Sequence, residues 1–134
     1  MMFPCVRGGE ISVAVESHET TLTKLAIADE AYCQALLAGE ATNIAESHLD
    51  EKTHALVRLG ALVAIDATAP AYMWAVEAAR RRGATEDQIV GCLIAALPAV
   101  GVANAVAAAP KLALALGYDV TAALEGSGAG DLDQ

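Results

Sequence analysis

Apolar residues recur at helical spacing along most of the chain. From residue 21 to residue 38 they return every three or four positions, and Gly39 follows, which is typical of an amphipathic helix and its end. A second such pattern covers residues 50–66, with Ser47 or Asp50 as its N-cap. The sequence therefore predicts two helices, joined by a loop over residues 39–48.

Proline and glycine divide the following part of the chain into further helices. Pro70 suits the first turn of a third helix, which runs over residues 70–82. Thr85 and Gln88 form a capping-box pair, so a fourth helix is predicted to begin there and to end near Pro98. A fifth helix is predicted over residues 102–108, and a sixth from residue 110 to residue 116. The fold class predicted is all-α, with about six helices.

The segment over residues 89–109 carries no charge and is about as long as a membrane span. It is rich in alanine and is interrupted by Pro98 and Gly101, so we interpret it as two short helices buried on every side. We expect one helical domain over residues 20–124. A poorly defined N-terminal arm, residues 1–19, includes the possible strand ISVAV, and a disordered acidic tail covers residues 125–134.

The charge balance limits the partners. The chain has a formal net charge of −9, which disfavours nucleic acid and anionic membrane surfaces. The N-terminal sequence does not have the pattern of a signal peptide, so we expect a cytoplasmic protein. The three cysteines, Cys5, Cys33 and Cys92, make neither a disulfide framework nor a zinc pattern, and the histidines lack metal-ligand spacing. No metal and no cofactor is predicted.

Two stretches resemble a known family. They are LDEKTHALVRLGALVAI and, after a break, AVEAARRRGATEDQIVGCLIAALPAVGVANAVAAAPKLALALG. Together they resemble the carboxymuconolactone decarboxylase family, whose superfamily also contains the AhpD-type alkylhydroperoxidases. The resemblance covers about residues 49–117. It implies an AhpD-like helical bundle that assembles into a homotrimer or homohexamer.

The resemblance does not extend to the reactive groups. The peroxidase branch uses a Cys-x-x-Cys pair, a following histidine and a glutamate one helix earlier. Depending on the alignment, the matching positions here hold alanine, proline, threonine or tryptophan: Ala55, Ala67 and Pro70 or Thr68 and Ala71, and Trp74 or Ala75. The decarboxylase branch lacks the cysteines, but its histidine is also missing here. Since disulfide exchange requires paired thiols, we predict that the chain is not an AhpD-type peroxidase.

Polar residues near this region give weaker site candidates. Asp50, His54 and Arg58 are spaced four apart and share one helix face. They fit a general base oriented by an acid with an arginine that binds substrate, or simply a solvated face. Asp66 is a second catalytic candidate, or an exposed loop acid. Tyr72 and Trp74 could bind a planar ligand in an apolar pocket, or Trp74 could fill the core or an interface.

Two functions remain open after these considerations. The chain is a cofactor-free enzyme or binder acting on a small carbonyl, lactone or aromatic compound, with an activity of lyase or isomerase type if it is an enzyme. Alternatively, it is a non-catalytic oligomeric scaffold or partner subunit that kept the fold and lost the site.

Overall fold

The computed structural model describes residues 17–120 and 125–126. This part of the chain contains seven α-helices and no strand, which confirms the all-α prediction. The helices are α1 (His18–Ala26), α2 (Glu30–Ala38), α3 (Glu40–Ser47), α4 (Glu51–Ala64), α5 (Ala69–Arg81), α6 (Glu86–Val100) and α7 (Val102–Leu116). The possible strand at residues 11–15 and nearly all of the predicted arm and tail fall outside the described residues.

The chain divides into two compact units, Met1–His48 and Leu49–Gln134, here called unit 1 and unit 2. Within the described residues, unit 1 contains α1 to α3 and unit 2 contains α4 to α7. The limits predicted for a single domain, residues 20–124, stay a prediction.

Unit 1 differs from its prediction at two places. The helix predicted over residues 21–38 is broken, because Ala28 has a left-handed φ of 54° and Asp29 caps a new helix, its carboxylate accepting from the amide of Tyr32 at 2.9 Å. The predicted loop after Gly39 is the helix α3. It packs against α2, where the Asn43 side chain donates to the Leu36 carbonyl at 3.1 Å. Helix-favouring glutamates and alanines in α3 outweigh its threonine and asparagine.

Three helix starts predicted for unit 2, those of α4, α5 and α6, are confirmed. The Asp50 carboxylate caps α4 by accepting from the amide and the hydroxyl of Thr53, at 2.8 and 2.9 Å. Thr85 and Gln88 make both hydrogen bonds of the capping box at the start of α6, at 3.1 and 3.0 Å. Pro70 lies in the first turn of α5, as predicted.

The helix boundary predicted at Pro110 is wrong, and α6 ends two residues beyond Pro98. Helix α6 continues through Pro98 to Val100, and α7 continues through Pro110, so the predicted fifth and sixth helices are one. A proline removes one backbone hydrogen bond from a helix. For Pro98 this loss falls in the last turn, and for Pro110 it is offset by the packing of α7 on its neighbours, which buries Ala108 and Leu112.

The four helices of unit 2 enclose the core. Helix α4 packs against α5 and α6, and α7 packs against the same two helices from the other side. Arg82, just after α5, forms an ion pair with Glu51 at the start of α4, 3.5 Å apart, so α4 and α5 run antiparallel. The core is formed by apolar side chains from all four helices: Ala55, Leu59, Val63, Ala67, Tyr72, Val76, Ala79, Ala84, Ile89, Ala108 and Leu112.

The segment over residues 89–109 forms two helices, as predicted, and is partly exposed in the single chain. Its burial on every side depends on an assembly and stays a prediction. Val90, Ile94 and Leu97 are spaced along one face of α6 and are 39%, 67% and 37% exposed in the single chain. Val102 and Val106 of α7 are also exposed. In the described part of the chain, no helix combines the length and the apolar character that crossing a membrane requires.

Candidate functional site

The predicted face of Asp50, His54 and Arg58 divides in the structure. His54 is buried, with 3% of its surface exposed, whereas Asp50 and Arg58 are exposed. The interpretation of all three as one solvated face is therefore wrong for His54. The Asp50 carboxylate is engaged at the cap of α4 by Thr53. The Nδ1 atom of His54 makes no hydrogen bond with the described residues, although the residue has a further interaction of its own.

Asp66 lies in the turn that follows α4 and adopts a left-handed φ of 52°. Its Oδ1 accepts from the ammonium of Lys111 at 2.9 Å, and the same ammonium donates to the carbonyl of Ala67 at 2.9 Å. Lys111 therefore joins α7 to the turn between α4 and α5. His54 lies near the opposite end of α4, about 15 Å by helix rise from the C-terminal end of the helix at Ala64, so the two predicted catalytic residues do not act on one atom.

Tyr72 lies in the first turns of α5 and is fully buried, with 0% exposure. Its hydroxyl makes no hydrogen bond with any described residue. Burial raises the pKa of Tyr72 above its usual value, and the negative charge of Asp66 raises this pKa further. The hydroxyl consequently stays protonated at neutral pH.

Trp74 is 81% exposed in the single chain. The interpretation of Trp74 as a filler of the core of its own subunit is therefore wrong, while a role at an interface stays a prediction. Two residues along an α-helix correspond to a rotation of about 200°, so Trp74 and the buried Tyr72 point to nearly opposite sides of α5. The structure does not bring them together in one pocket within this chain.

The positions that match the reactive groups of AhpD-type relatives hold neither a thiol nor an imidazole nor a carboxylate here. Ala55 and Ala67 are buried in the core, and Ala71 and Ala75 pack against it. Cys92 is the half-buried thiol of unit 2, and its Sγ donates to the Leu56 carbonyl at 3.4 Å. Burial raises the pKa of the Cys92 thiol, which disfavours the reactive thiolate.

Lys111 is the polar residue of this region that the sequence interpretation missed. The signal was available, because Lys111 is the only charged residue between Asp87 and Asp119 in the sequence. A single charge in such an apolar stretch indicates a specific partner. The structure brings Lys111, Asp66 and Tyr72 to the turn between α4 and α5. We call these three residues the junction cluster.

Metal-binding groups are not clustered among the described residues: no three histidine, cysteine, aspartate or glutamate side chains there are placed to hold an ion. The junction cluster contains one carboxylate, one ammonium and one phenol, and a protonated ammonium is not a metal ligand. Its chemistry is hydrogen bonding and charge pairing.

Comparison with known proteins identifies the family. The model of the carboxymuconolactone decarboxylase family matches residues 28–113, which is more than half of the chain. The chain belongs to the carboxymuconolactone decarboxylase family. Searches of curated proteins and of solved structures found no match to it.

Proposed function

We propose that this protein binds, and in its assembled form acts on, a small carbonyl, lactone or aromatic compound without a cofactor and without thiol chemistry. One observation carries the proposal. At the turn between α4 and α5, where the resemblance places the thiols of peroxidase relatives, this chain has apolar residues beside the junction cluster of Asp66, Tyr72 and Lys111. The polar groups of that region are therefore suited to bind an oxygen-containing ligand.

The thiol part of the proposal is tested by a peroxidase assay coupled to an external thiol reductant. Residues Ala55, Ala67 and Ala71 offer no redox chemistry, and the thiol of Cys92 has a raised pKa, so we expect no turnover above the protein-free rate. Turnover that disappears in Cys92→Ala, and persists in Cys33→Ala, would show that this chain keeps a thiol mechanism.

The ligand part is tested by amide chemical-shift titration of the isotope-labelled protein. The panel contains dihydrocoumarin as the aromatic lactone, cyclohexanone as the carbonyl compound and phenol as the aromatic alcohol. Saturable shifts centred on residues 65–72 and on Lys111 are expected for at least one compound. Shifts confined to the exposed Trp74 side of α5 would contradict the proposed location of the site. The absence of any saturable shift would contradict the proposed function.

A specific observation also supports the second candidate, a homo-oligomeric subunit that serves as a scaffold. Val90, Ile94 and Leu97 form an apolar stripe along α6, and Trp74 is exposed on α5. Soluble monomers seldom keep large apolar patches in water, so we propose that copies of this chain cover these surfaces in a trimer or hexamer. This assembly is compatible with ligand binding at the junction cluster.

The assembly is measured by light scattering coupled to size exclusion. We expect a mass of three or six chains for the wild type and a smaller mass for Ile94→Asp, because a carboxylate placed in an apolar interface loses its hydration. Ala99→Asp is the matched control, since it adds the same carboxylate at an exposed position of α6 that lies about 140° around the helix from Ile94. A folded wild type at the mass of one chain at micromolar concentration would contradict the assembly.

A further inference from the structure

The junction cluster contains hydrogen-bond donors that its own residues do not use. The Lys111 ammonium has three N–H donors and gives two of them to the Asp66 carboxylate and the Ala67 carbonyl, both at 2.9 Å. The Tyr72 hydroxyl is fully buried and donates to no described residue. A buried hydroxyl in a native structure is nearly always hydrogen-bonded, so this one points to a partner that is not part of the described chain.

The three residues lie at or next to the same turn. Asp66 and Ala67 belong to the turn itself, and Lys111 reaches it from α7. Tyr72 follows about one helical turn later in the chain, and its amide donates to the Thr68 carbonyl at 3.3 Å. The charge of Asp66 also acts on the Tyr72 hydroxyl and raises its pKa, which agrees with this placement.

We propose that the Tyr72 hydroxyl and the remaining N–H of Lys111 donate together to one carbonyl oxygen of a neutral ligand, while Asp66 positions Lys111. This inference rests on the proposed function and specifies its ligand. Two convergent donors suit a carbonyl oxygen, which has two lone pairs.

The charges of the cluster favour a neutral ligand over a carboxylate. Lys111 and Asp66 cancel each other, and the protonated Tyr72 adds no charge. A ligand carboxylate would stand beside the Asp66 carboxylate in a chain whose formal net charge is −9. A lactone or ketone presents the same oxygen acceptor without that repulsion.

Access to the hydroxyl requires a side chain to move, because Tyr72 is covered on all sides. Lys111 is the mobile residue of the cluster. It has a flexible four-carbon side chain that is 29% exposed, and its partner Asp66 is 60% exposed, so water screens their ion pair. A small movement of this side chain directs its remaining N–H toward the ligand while its bond to Asp66 is kept.

The experiment compares two probes that differ in charge. Dihydrocoumarin is the neutral lactone, and 3-(2-hydroxyphenyl)propanoate is the acid formed when its ring opens. Both are titrated by amide chemical shifts against the full chain. We expect the lactone to bind at least tenfold more tightly than the acid. Tighter binding of the acid would overturn the assignment of a neutral ligand.

Three variants test the donors. Tyr72→Phe keeps the ring in the core and removes the hydroxyl, and we expect it to lower the affinity for the lactone about tenfold, the loss of one buried hydrogen bond. The same variant should unfold at a higher temperature without ligand, because it removes a buried polar group that has no partner among the described residues. Lys111→Met keeps the length of the side chain and should also weaken binding. Lys52→Met on α4 is the matched control and should leave binding unchanged.

The outcomes separate this inference from the proposed function. Suppose that Tyr72→Phe raises the unfolding temperature but both Tyr72→Phe and Lys111→Met bind the lactone like the wild type. The assignment of Tyr72 and Lys111 as donors is then wrong, whereas the proposed function remains with a binding site elsewhere in the protein. If neither this lactone nor any other compound of the panel binds the wild type saturably, the proposed function fails and the inference fails with it.

Discussion

Unit 1 and unit 2 are built from helices of similar sequence character but are stabilised in different ways. Helices α1, α2 and α3 have 9, 9 and 8 residues, and none of their side chains is buried. Every buried side chain among the described residues lies in unit 2. Helices shorter than about 12 residues are marginal in water without tertiary packing. The comparison shows that regular helical geometry alone does not indicate where the stability of this chain resides.

The helices of unit 1 depend on local interactions. Ser17 caps α1 by accepting from the amide of Thr20 at 3.3 Å, and Asp29 caps α2. The apolar side chains of unit 1 remain in contact with water in the single chain, including Leu37 at 79% exposure and Ile27 at 68%. The helices of unit 2 instead share a core in which Leu59 and Ile89 are 1% and 0% exposed. We therefore expect the two units to open with different free energies.

Amide hydrogen exchange should show the largest difference. Exchange from α4 and α5 requires unfolding of the core, whereas α1 to α3 open locally, so we expect protection roughly a thousandfold greater in α4 and α5. The measurement is made by mass spectrometry after pepsin digestion.

Equal protection in the two units would break the comparison. Repeating the exchange across a range of protein concentrations provides the control. Protection of α1 to α3 that rises with concentration would show that another copy of the chain covers the exposed leucines of unit 1.

Matched leucine truncations sharpen the comparison. Leu59→Ala removes a side chain that is 1% exposed, and such changes in a core cost about 2–5 kcal/mol of unfolding free energy. Leu37→Ala makes the same chemical change where the side chain is 79% exposed, and about 0.5 kcal/mol or less is expected. Urea denaturation followed by circular dichroism measures both. A large loss of unfolding free energy in Leu37→Ala would show that Leu37 is buried in the assembled protein.

The difference between the units also explains which elements could be predicted from sequence. In unit 2, the helix starts at Asp50, Pro70 and the Thr85 capping box were predicted correctly, because each depends on residues within one turn, whereas the equally local cap at Asp29 in unit 1 was missed. The boundary predicted at Pro110 was wrong because the packing of α7 outweighs one lost hydrogen bond, and Pro98 lies in the last turn of α6, which ends two residues later.

The candidate site was less accessible to sequence reasoning. The pattern placed His54 on an exposed face, yet α4 packs against both α5 and α6, and this packing buries more of α4 than its apolar stripe alone indicates. Trp74 was interpreted as a residue of a pocket, of the core or of an interface because it lies in the segment that holds the reactive centre of the family, but the helix phase set by Tyr72 and Val76 directs it outward. Lys111 and Asp66 are 45 residues apart in sequence, and no local pattern predicts such a pair.

Replacing a helix cap should change the unfolding free energy less than truncating a core leucine does. Thr85→Ala removes the side-chain acceptor of the capping box on α6, and such a loss costs about 1 kcal/mol. Ser17→Ala removes the corresponding acceptor on α1, but unit 1 opens before the core does, so the global unfolding free energy should change by less than about 0.5 kcal/mol. Equal losses measured by urea denaturation would mean that the two units unfold together.

The smallest expected effect concerns the charge of a cap. Hydrogen bonds from the amide and then the hydroxyl of Thr53 hold the pKa of Asp50 below its usual value of 3.8. The ionised form is therefore favoured in the folded state, and its contribution to stability is fully present above that value. The contribution is lost as pH falls through the lowered pKa of the folded state.

Asp50→Asn tests this contribution because asparagine keeps the capping oxygen and removes the charge. We expect the variant to unfold at a slightly lower temperature than the wild type near pH 7, and we expect this temperature difference to disappear as pH falls below about 4.

Asp29→Asn is the control, because it makes the same change at the cap of α2 in unit 1. Its global unfolding temperature should match the wild type near pH 7, because the transition reports the core of unit 2. If the difference in unfolding temperature between Asp50→Asn and the wild type does not change with pH, the effect arises from hydrogen-bond geometry and not from the charge. If Asp29→Asn lowers the unfolding temperature as much as Asp50→Asn does, unit 1 unfolds together with unit 2.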